Sequence, residues 1–317
     1  NGEGPSWGSS LFEDNAEYGY GMFQATETIR HRMAKMMIEC ENEVSPELAA
    51  LFAEWRENIS DGEKTTELRN EIVPLLEKET GKTAKELLEL KQYLIKKSVW
   101  MFGGDGWAYD IGFGGIDHVL ASGDDVNMLI LDTEVYSNTG GQSSKASPAG
   151  ALAKFASSGK PVKKKDLAAI LMTYGNIYVA RVSMGANQNQ TLKAIREAES
   201  YPGPSIIIAY SPCIAHGIKE GMGRGQHEEK LATEVGYWPI LRYDPRLAEK
   251  GKNPLQLDSK DPAWDKYENF LKGEGRYSAL LSEFPERAKE LFELNLKNAK
   301  ENWNYYKRMA AMDYSTE

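Results

Sequence analysis

Apolar positions recur at helical spacing from the start of the chain. Leu11, Phe12, Ala16, Tyr20, Phe23, Ile29, Met33 and Met37 predict a helix over about 15–41, with Asp14 or Asn15 as its N-cap. Three charge-rich helical patterns follow at Pro46–Asn58, Lys64–Glu77 and Lys82–Lys97. At Val99 the pattern changes to short apolar runs, which predict strands at Val99–Gly103, Met128–Asp132, Ile177–Val182, Ser205–Tyr210 and Tyr237–Tyr243. Helical stretches lie between them near Gly115–Ala121, Asp166–Met172, Gln188–Glu199 and Glu228–Val235. This alternation predicts an α/β fold, an open, mostly parallel sheet flanked by helices, with an N-terminal helical segment. Past Asp244-Pro245 the chain turns polar, passes a Gly273-Glu274-Gly275 turn and ends in a long helical pattern at about 284–311. The expected organisation is a helical part at 1–98, an α/β core at 99–245 and a largely helical C-terminal extension at 246–317, a tail that should pack on its neighbour.

Composition narrows the function. With 41% hydrophobic and 27% charged residues over 317 positions, the chain is neither disordered nor fibrous. Ser205–Ile218, the longest nearly uncharged apolar stretch, is too short and polar for a bilayer, which takes about 18 or more apolar residues, so no membrane partner is expected. A balance of 38 basic against 47 acidic residues, net −9, argues against nucleic acid. The one basic run, Lys160-Pro-Val-Lys-Lys-Lys165, reads as a solvated loop rather than an anion contact. Two cysteines, Cys40 and Cys213, make no disulfide framework and no CxxC pair, and point to a reducing, cytoplasmic setting. An opening of Asn1-Gly-Glu-Gly-Pro, without initiator Met or signal sequence, reads as the later part of something longer.

The sharpest chemical signal is Val99-Trp-Met-Phe-Gly-Gly-Asp105-Gly106, an apolar strand ending in a glycine-rich turn where phosphate ligands sit in open α/β sheets. A dinucleotide fingerprint fails, because Tyr109 stands at the third glycine position, and no Walker A loop occurs. A divalent metal bridging a diphosphate remains, since Asp105 offers a hard oxygen and Mg²⁺ takes one or two carboxylates plus phosphate oxygens. The next strand ends in Asp132-Thr133-Glu134-Val135-Tyr136-Ser137-Asn138-Thr-Gly140-Gly141, one strand–helix–strand unit later, so the two carboxyl ends should lie side by side. Either motif alone could be a helix cap or a turn.

Together they resemble the thiamine-diphosphate motif, Gly-Asp-Gly followed by an Asn-containing loop. Gly104-Asp-Gly-Trp-Ala-Tyr-Asp110-Ile-Gly, Asp117-His-Val-Leu-Ala-Ser-Gly123 and Asp132-Thr-Glu-Val-Tyr-Ser-Asn-Thr-Gly-Gly-Gln142 resemble pyruvate:ferredoxin (flavodoxin) oxidoreductases. So do Leu11-Phe-Glu-Asp-Asn-Ala-Glu17, Met172-Thr-Tyr-Gly175, Val182-Ser-Met-Gly185, Glu199-Ser-Tyr-Pro-Gly-Pro204 and Gly236-Tyr-Trp-Pro239. The resemblance spans nearly the whole chain and implies the thiamine-diphosphate-binding fold.

It also implies roles. Asp105 and Thr133 side chains and the Val135 carbonyl would hold Mg²⁺. Gly104, Asp105, Gly106 and Trp107, with Thr133, Glu134, Val135, Tyr136, Ser137 and Asn138, would cradle the diphosphate. Thr133 stands where many thiamine enzymes have Asn but matches this family. Asn138 would be catalytic, its neutral amide donating a hydrogen bond to the alkoxide developing on the substrate. Cys213, in Ala209-Tyr-Ser-Pro-Cys-Ile-Ala-His-Gly217, reads alone as a packed thiol. The resemblance makes it one of four [4Fe-4S] ligands, the other three upstream of this chain.

The activity implied is oxidative decarboxylation of pyruvate with coenzyme A to acetyl-CoA and CO₂. Electrons would pass through iron–sulfur clusters to ferredoxin or flavodoxin, in a homodimer whose pyrimidine-binding domain lies upstream. The fragment alone would be inactive. Rivals are oxidation of another 2-oxo acid and a non-catalytic thiamine-fold scaffold. Cys40 reads as structural, His118 as packed or capping, His31 and His227 as solvent-facing, and His216 as either a donor near the cluster or a surface residue. Gly221–Gly225 reads as a flexible loop. No Ser-His-Asp order supports a nucleophilic hydrolase.

Overall fold

A computed structural model describes residues 5–10 and 13–315; Leu11 and Phe12 of the first helical pattern lie outside the described residues. In chain order the elements are α1 (Asn15–Glu39), α2 (Pro46–Glu57), α3 (Gly62–Leu76), α4 (Lys82–Glu89), β1 (Trp100–Gly104), α5 (Phe113–Ala121), β2 (Asn127–Asp132), α6 (Leu167–Met172), β3 (Tyr178–Val182), α7 (Gln188–Ser200), β4 (Ser205–Tyr210), α8 (Gly225–Glu234), β5 (Leu241–Tyr243), β6 (Leu255–Leu257), α9 (Tyr267–Gly273), α10 (Gly275–Glu283) and α11 (Pro285–Ala310). The chain forms two compact units, Tyr18–Val99 and the remainder.

In Tyr18–Val99, amphipathic helices bury one face each around Met33, Met37, Cys40, Leu48, Phe52, Trp55, Leu68 and Ile72. Trp55 is fully enclosed, and its indole N–H donates to the Leu94 carbonyl at 2.7 Å. The helix expected over Lys82–Lys97 stops at Glu89 and passes through a 3₁₀ turn at Lys91–Tyr93. The segment after it turns inward, so that Leu94 is buried and its carbonyl is used across the core rather than along a helix.

The other unit is built on one sheet with strand order β1-β2-β4-β3-β5-β6. β1, β2, β4 and β3 run parallel, β5 is antiparallel to β3, and β6 is antiparallel to β5. The open, mostly parallel sheet flanked by helices is therefore as expected. β3 is buried along its whole length and β4 nearly so, which is why β4 reads as a nearly continuous apolar run and β3 as one interrupted only by Arg181. On one face Ala180, Val182 and Ile207 pack under Ala194, Ala198 and Tyr201.

Three further features depart from the expected pattern. The strand placed at Tyr237–Tyr243 is only Leu241–Tyr243: Trp238 instead folds inward, its indole donating to the Val182 carbonyl at 3.0 Å, and Pro239 cannot donate to a ladder. β6 was not foreseen, because three residues in a polar context carry no readable alternation. His118, expected to be packed or capping, is exposed on α5. Among the described residues no helix is long and apolar enough to cross a membrane.

After β6 the chain returns across the sheet unit through α9, α10 and α11. Asn295 on α11 is the clearest tie. Its amide donates to the Ala149 carbonyl at 2.6 Å, and its oxygen accepts from the Tyr267 hydroxyl at 2.5 Å. Replacing it by Ala leaves two buried groups unsatisfied, each costing about 1–3 kcal/mol. Asn295→Ala should lower stability by about 2–4 kcal/mol in urea unfolding, and a loss under about 0.5 kcal/mol would show the tie to be dispensable.

Candidate functional site

β1 and β2 pair in register with Gly104 opposite Leu131, so Asp105 and Asp132-Thr133 emerge next to one another at the carboxyl ends. Asp105 opens a short π-helical turn, Gly106–Ile111, and is 1% exposed. One carboxylate oxygen accepts from the Thr133 hydroxyl at 2.7 Å and its amide at 3.2 Å; the other accepts from the Ser144 hydroxyl at 3.0 Å. No cation pairs with Asp105 among the described residues. Burial, with the Asp132 carboxylate nearby, pushes its pKa up to about 7. The flanking glycines serve different ends. A Cβ on Gly106 would sit 2.4 Å from the Tyr136 ring, whereas one on Gly104 would meet nothing within 4 Å.

Over these strand ends lies a cleft of about 450 Å³. Gly104, Asp105, Gly106, Trp107, Thr133, Val135, Tyr136, Ser137 and Asn138 all line it, with Ser10, Glu13, Asn15 and Leu131. Ser137 and Asn138 are exposed at its rim. On its floor three hard oxygens converge: Thr133 Oγ1 is 2.7 Å from Asp105 Oδ1 and 3.1 Å from the Val135 carbonyl. Adjacent ligands of an octahedral Mg²⁺ with bonds near 2.1 Å stand about 3.0 Å apart, so this donor set has the chemistry and spacing such an ion requires. Among the described residues no group of three His, Cys, Asp or Glu side chains converges to hold a metal.

Glu134 is set apart from the other residues of its motif. It does not line the cleft, is 1% exposed and has φ 62°, a left-handed conformation that a non-glycine residue adopts at a cost. Its carboxylate accepts from Lys164 at 3.0 Å, from the Tyr237 hydroxyl at 2.5 Å and from Arg276 at 2.5 Å. Burial opposes the charge, but Lys164 and Arg276 outweigh it and bring the pKa down to about 2. Lys164 also holds Asp132 at 2.7 Å, and Arg276 also holds Glu274. Lys160 is buried and donates to the Ser144 and Ser147 carbonyls at 2.7 and 2.5 Å. Ser147 in turn donates to the Glu134 carbonyl at 2.6 Å.

The basic run is thus partly inside the protein, not a wholly solvated loop. Lys164, Lys160, Ser144 and Arg276 are the site-supporting residues that the sequence reading missed. The only signal was local: a lysine run beside small residues, and an acid framed by glycines at Gly273-Glu274-Gly275.

Cys213 lies outside the cleft. Its thiol is buried in a tight turn after β4, accepting from the Ala215 amide at 3.3 Å, while Ile214 beside it is exposed. This turn adjoins the Asn138 loop, where a Cβ on Gly141 would be 3.8 Å from Ala215. His216 is half-buried with Nε2 3.3 Å from Arg276; burial, then that guanidinium, push its pKa down to about 3, so it stays neutral. Cys40 belongs to the helical core, and His31 and His227 are exposed. The Gly221–Gly225 run forms a 3₁₀ turn leading into α8 rather than an irregular loop.

Residues 87–209, which include β1, β2, β3 and all of β4 but Tyr210, match the family model of the thiamine pyrophosphate enzyme C-terminal TPP binding domain. Over 98% of its length the chain is 49% identical to pyruvate-flavodoxin oxidoreductase from Klebsiella pneumoniae and 50% identical to pyruvate:ferredoxin oxidoreductase from Moorella thermoacetica, covering 27% of each. It is 46% identical, over 97% of its length, to a mitochondrial pyruvate dehydrogenase [NADP(+)] from Euglena gracilis, covering 17% of it. The resemblance read from the sequence holds along nearly the whole chain: it is similar to the thiamine-diphosphate-binding portion of pyruvate:ferredoxin (flavodoxin) oxidoreductases, which are oxidoreductase enzymes. The chain spans about a quarter of the length of the first two relatives.

Two outcomes follow from the geometry. Gly106→Ala forces a methyl group against Tyr136 and should cost about 1–3 kcal/mol, whereas Gly104→Ala should leave the unfolding midpoint nearly unchanged. Equal effects would contradict the packing described. Glu228 on α8 is 5% exposed with Oε1 unpartnered among the described residues, and burial, then the Glu274 charge, push it up to about 7. A folded pKa above the unfolded one means the folded state holds a proton between about 4.5 and 7. Stability from this group therefore rises as pH falls through 7 and is lost above it. Relative to Glu228→Gln, the wild-type midpoint should rise between about pH 8 and pH 5; parallel profiles would remove the assignment.

Proposed function

We propose that this chain holds the diphosphate end of thiamine diphosphate through Mg²⁺ in a pyruvate:ferredoxin or pyruvate:flavodoxin oxidoreductase. The observation that carries this reading is the cluster of Asp105, Thr133 and Val135 oxygens on the floor of the cleft, in a chain matching a TPP binding domain. Asp105 is a buried carboxylate without an ion pair, and a divalent cation would keep it ionised at neutral pH. Gly104 leaves room where a phosphate can approach the backbone, and Gly106, Trp107 and the Thr133–Asn138 loop complete the cradle.

Bound there, thiamine diphosphate supplies a carbanion able to attack a 2-oxo carbon and a store for the electrons left when CO₂ departs. The chain's own residues orient it and furnish charge. Exposed at the cleft rim, Asn138 offers a neutral amide that donates to the substrate's developing oxyanion without giving up a proton. Cys213 supplies one thiolate of a [4Fe-4S] cluster, the others coming from elsewhere in the full-length protein. Coenzyme A takes the acetyl group, and ferredoxin or flavodoxin takes the electrons, in a cytoplasmic homodimer. A relative named for NADP⁺ matches nearly as well as those named for flavodoxin or ferredoxin, which supports a role in holding the cofactor rather than in choosing the acceptor.

Gly104→Ala separates binding from folding. In the full-length protein it should keep its unfolding midpoint yet lose thiamine-diphosphate affinity by about tenfold or more, and Asp105→Ala should lose at least about 100-fold. Unchanged calorimetric affinity in both variants would overturn the reading. Cys213→Ser should still bind thiamine diphosphate but lose iron and pyruvate-dependent reduction of ferredoxin; a full iron count would return Cys213 to the ordinary core.

A further inference from the structure

Arg181 is a cation in the middle of β3, a strand buried at every position, and is 7% exposed. Among the described residues its guanidinium has no carboxylate partner and makes one long hydrogen bond, 3.5 Å to the Tyr306 hydroxyl. Asp166 makes no direct contact with it: its carboxylate accepts from that tyrosine at 2.6 Å and supports the guanidinium by charge alone. A guanidinium has five donors, and burying a cation with so few acceptors is costly. Other groups gather beside it. Arg181 sits over the Trp238 ring at 4.2 Å from the centroid, and Lys164 lies 5.1 Å from the same centroid. The two cations therefore flank one indole.

Arg181, Lys163, Lys164, Lys165 and Asn298 line a small cavity of about 60 Å³ separate from the Asp105 cleft; Glu134 and Asp166 line it too, but the Glu134 carboxylate is paired with Lys164 and Arg276, and that of Asp166 accepts from Tyr306. Lys163 is exposed, and the Asn298 amide nitrogen is buried without a partner. The volume holds about four waters, or one tetrahedral group. We propose that this cavity is a binding site for a small inorganic oxyanion of phosphate size. Arg181 supplies a fork that matches two oxygens, Asn298 an otherwise unused N–H donor, and Lys163 a charge at the solvent side. The cavity owes nothing to the thiamine reading, although Lys164 is shared with Glu134, so an occupant would draw on the same lysine that steadies the cleft.

The test uses the full-length protein already loaded with its cofactor, so that phosphate cannot act at an empty diphosphate cradle. Unfolding temperature is followed against sodium phosphate and sodium chloride at matched ionic strength. Phosphate should give a saturable rise that chloride does not. General salt exclusion also stabilises proteins, but it does not saturate and would persist in any variant. Arg181→Gln risks misfolding, so the decisive variants are Asn298→Asp, which should abolish the saturable component, and Lys163→Glu, which should weaken it about tenfold. A selenate soak should place an anomalous peak within hydrogen-bond reach of Arg181. Superimposable phosphate and chloride curves, or a crystal structure with only waters beside Arg181, would overturn the proposal.

Discussion

Thr133 and Val135 turn oxygens toward one point on either side of a residue in an unusual backbone conformation, and the anchoring of Glu134 holds that conformation. Its φ of 62° costs on the order of 1–2 kcal/mol for an L-residue. Against this stands a carboxylate held by an ammonium, a guanidinium and a phenol inside the protein. Removing one partner from such a buried pair typically costs about 3–5 kcal/mol, more than the strain, so the conformation is over-determined. The Glu134 carbonyl and amide are also engaged, by Ser147 and Asp132, which leaves the residue little freedom to relax.

Two carboxylates at neighbouring strand ends thereby acquire opposite characters. Glu134 has its cations within the protein and is pulled down to about 2; Asp105 has hydroxyl and amide donors only and is pushed up to about 7. The first is electrically complete and closed off from the cleft, and the second is incomplete and opens onto it. A cation entering the cleft thus has the Asp105 carboxylate to meet at the strand ends, while Glu134 keeps the surrounding loop in shape. Lys160 extends the same logic, since the two serine carbonyls it holds belong to residues that donate to Asp105 and Glu134.

Much of this was legible in the sequence because it depends on local pattern. The four parallel strands are short apolar runs bounded by glycine or polar turns, and Gly104-Asp105-Gly106 and Thr133–Asn138 fall one strand–helix–strand apart, which parallel pairing brings together. That Glu134 turns away from the cleft was not legible. A loop carries no periodicity that separates a residue facing the cleft from one turned inward by positive φ. Lys164 looked like a surface residue because three lysines in a row usually are, and its carboxylate partners are some 30 residues distant in sequence. Tyr237–Tyr243 showed apolar character without revealing that Trp238 spends it on packing under Val182 rather than on a ladder.

Distance along the chain explains what no motif could show. Arg276 reaches Glu134 across 142 residues, and Asn295 reaches Ala149 across 146. Residues 133–166, between β2 and α6, contain no helix and no strand of the main sheet, a length of irregular chain that seldom persists without outside support. Arg276 grips one end of that segment and Asn295 its middle, while Lys160 and the serines tie it internally. The polar segment that follows β6 therefore helps to shape the cleft through interior hydrogen bonds. A chain of this fold shortened before α10 would keep the Gly-Asp-Gly turn and the Asn138 loop in its sequence, yet lose the guanidinium that holds Glu134, and with it the backbone geometry that brings the three oxygens together.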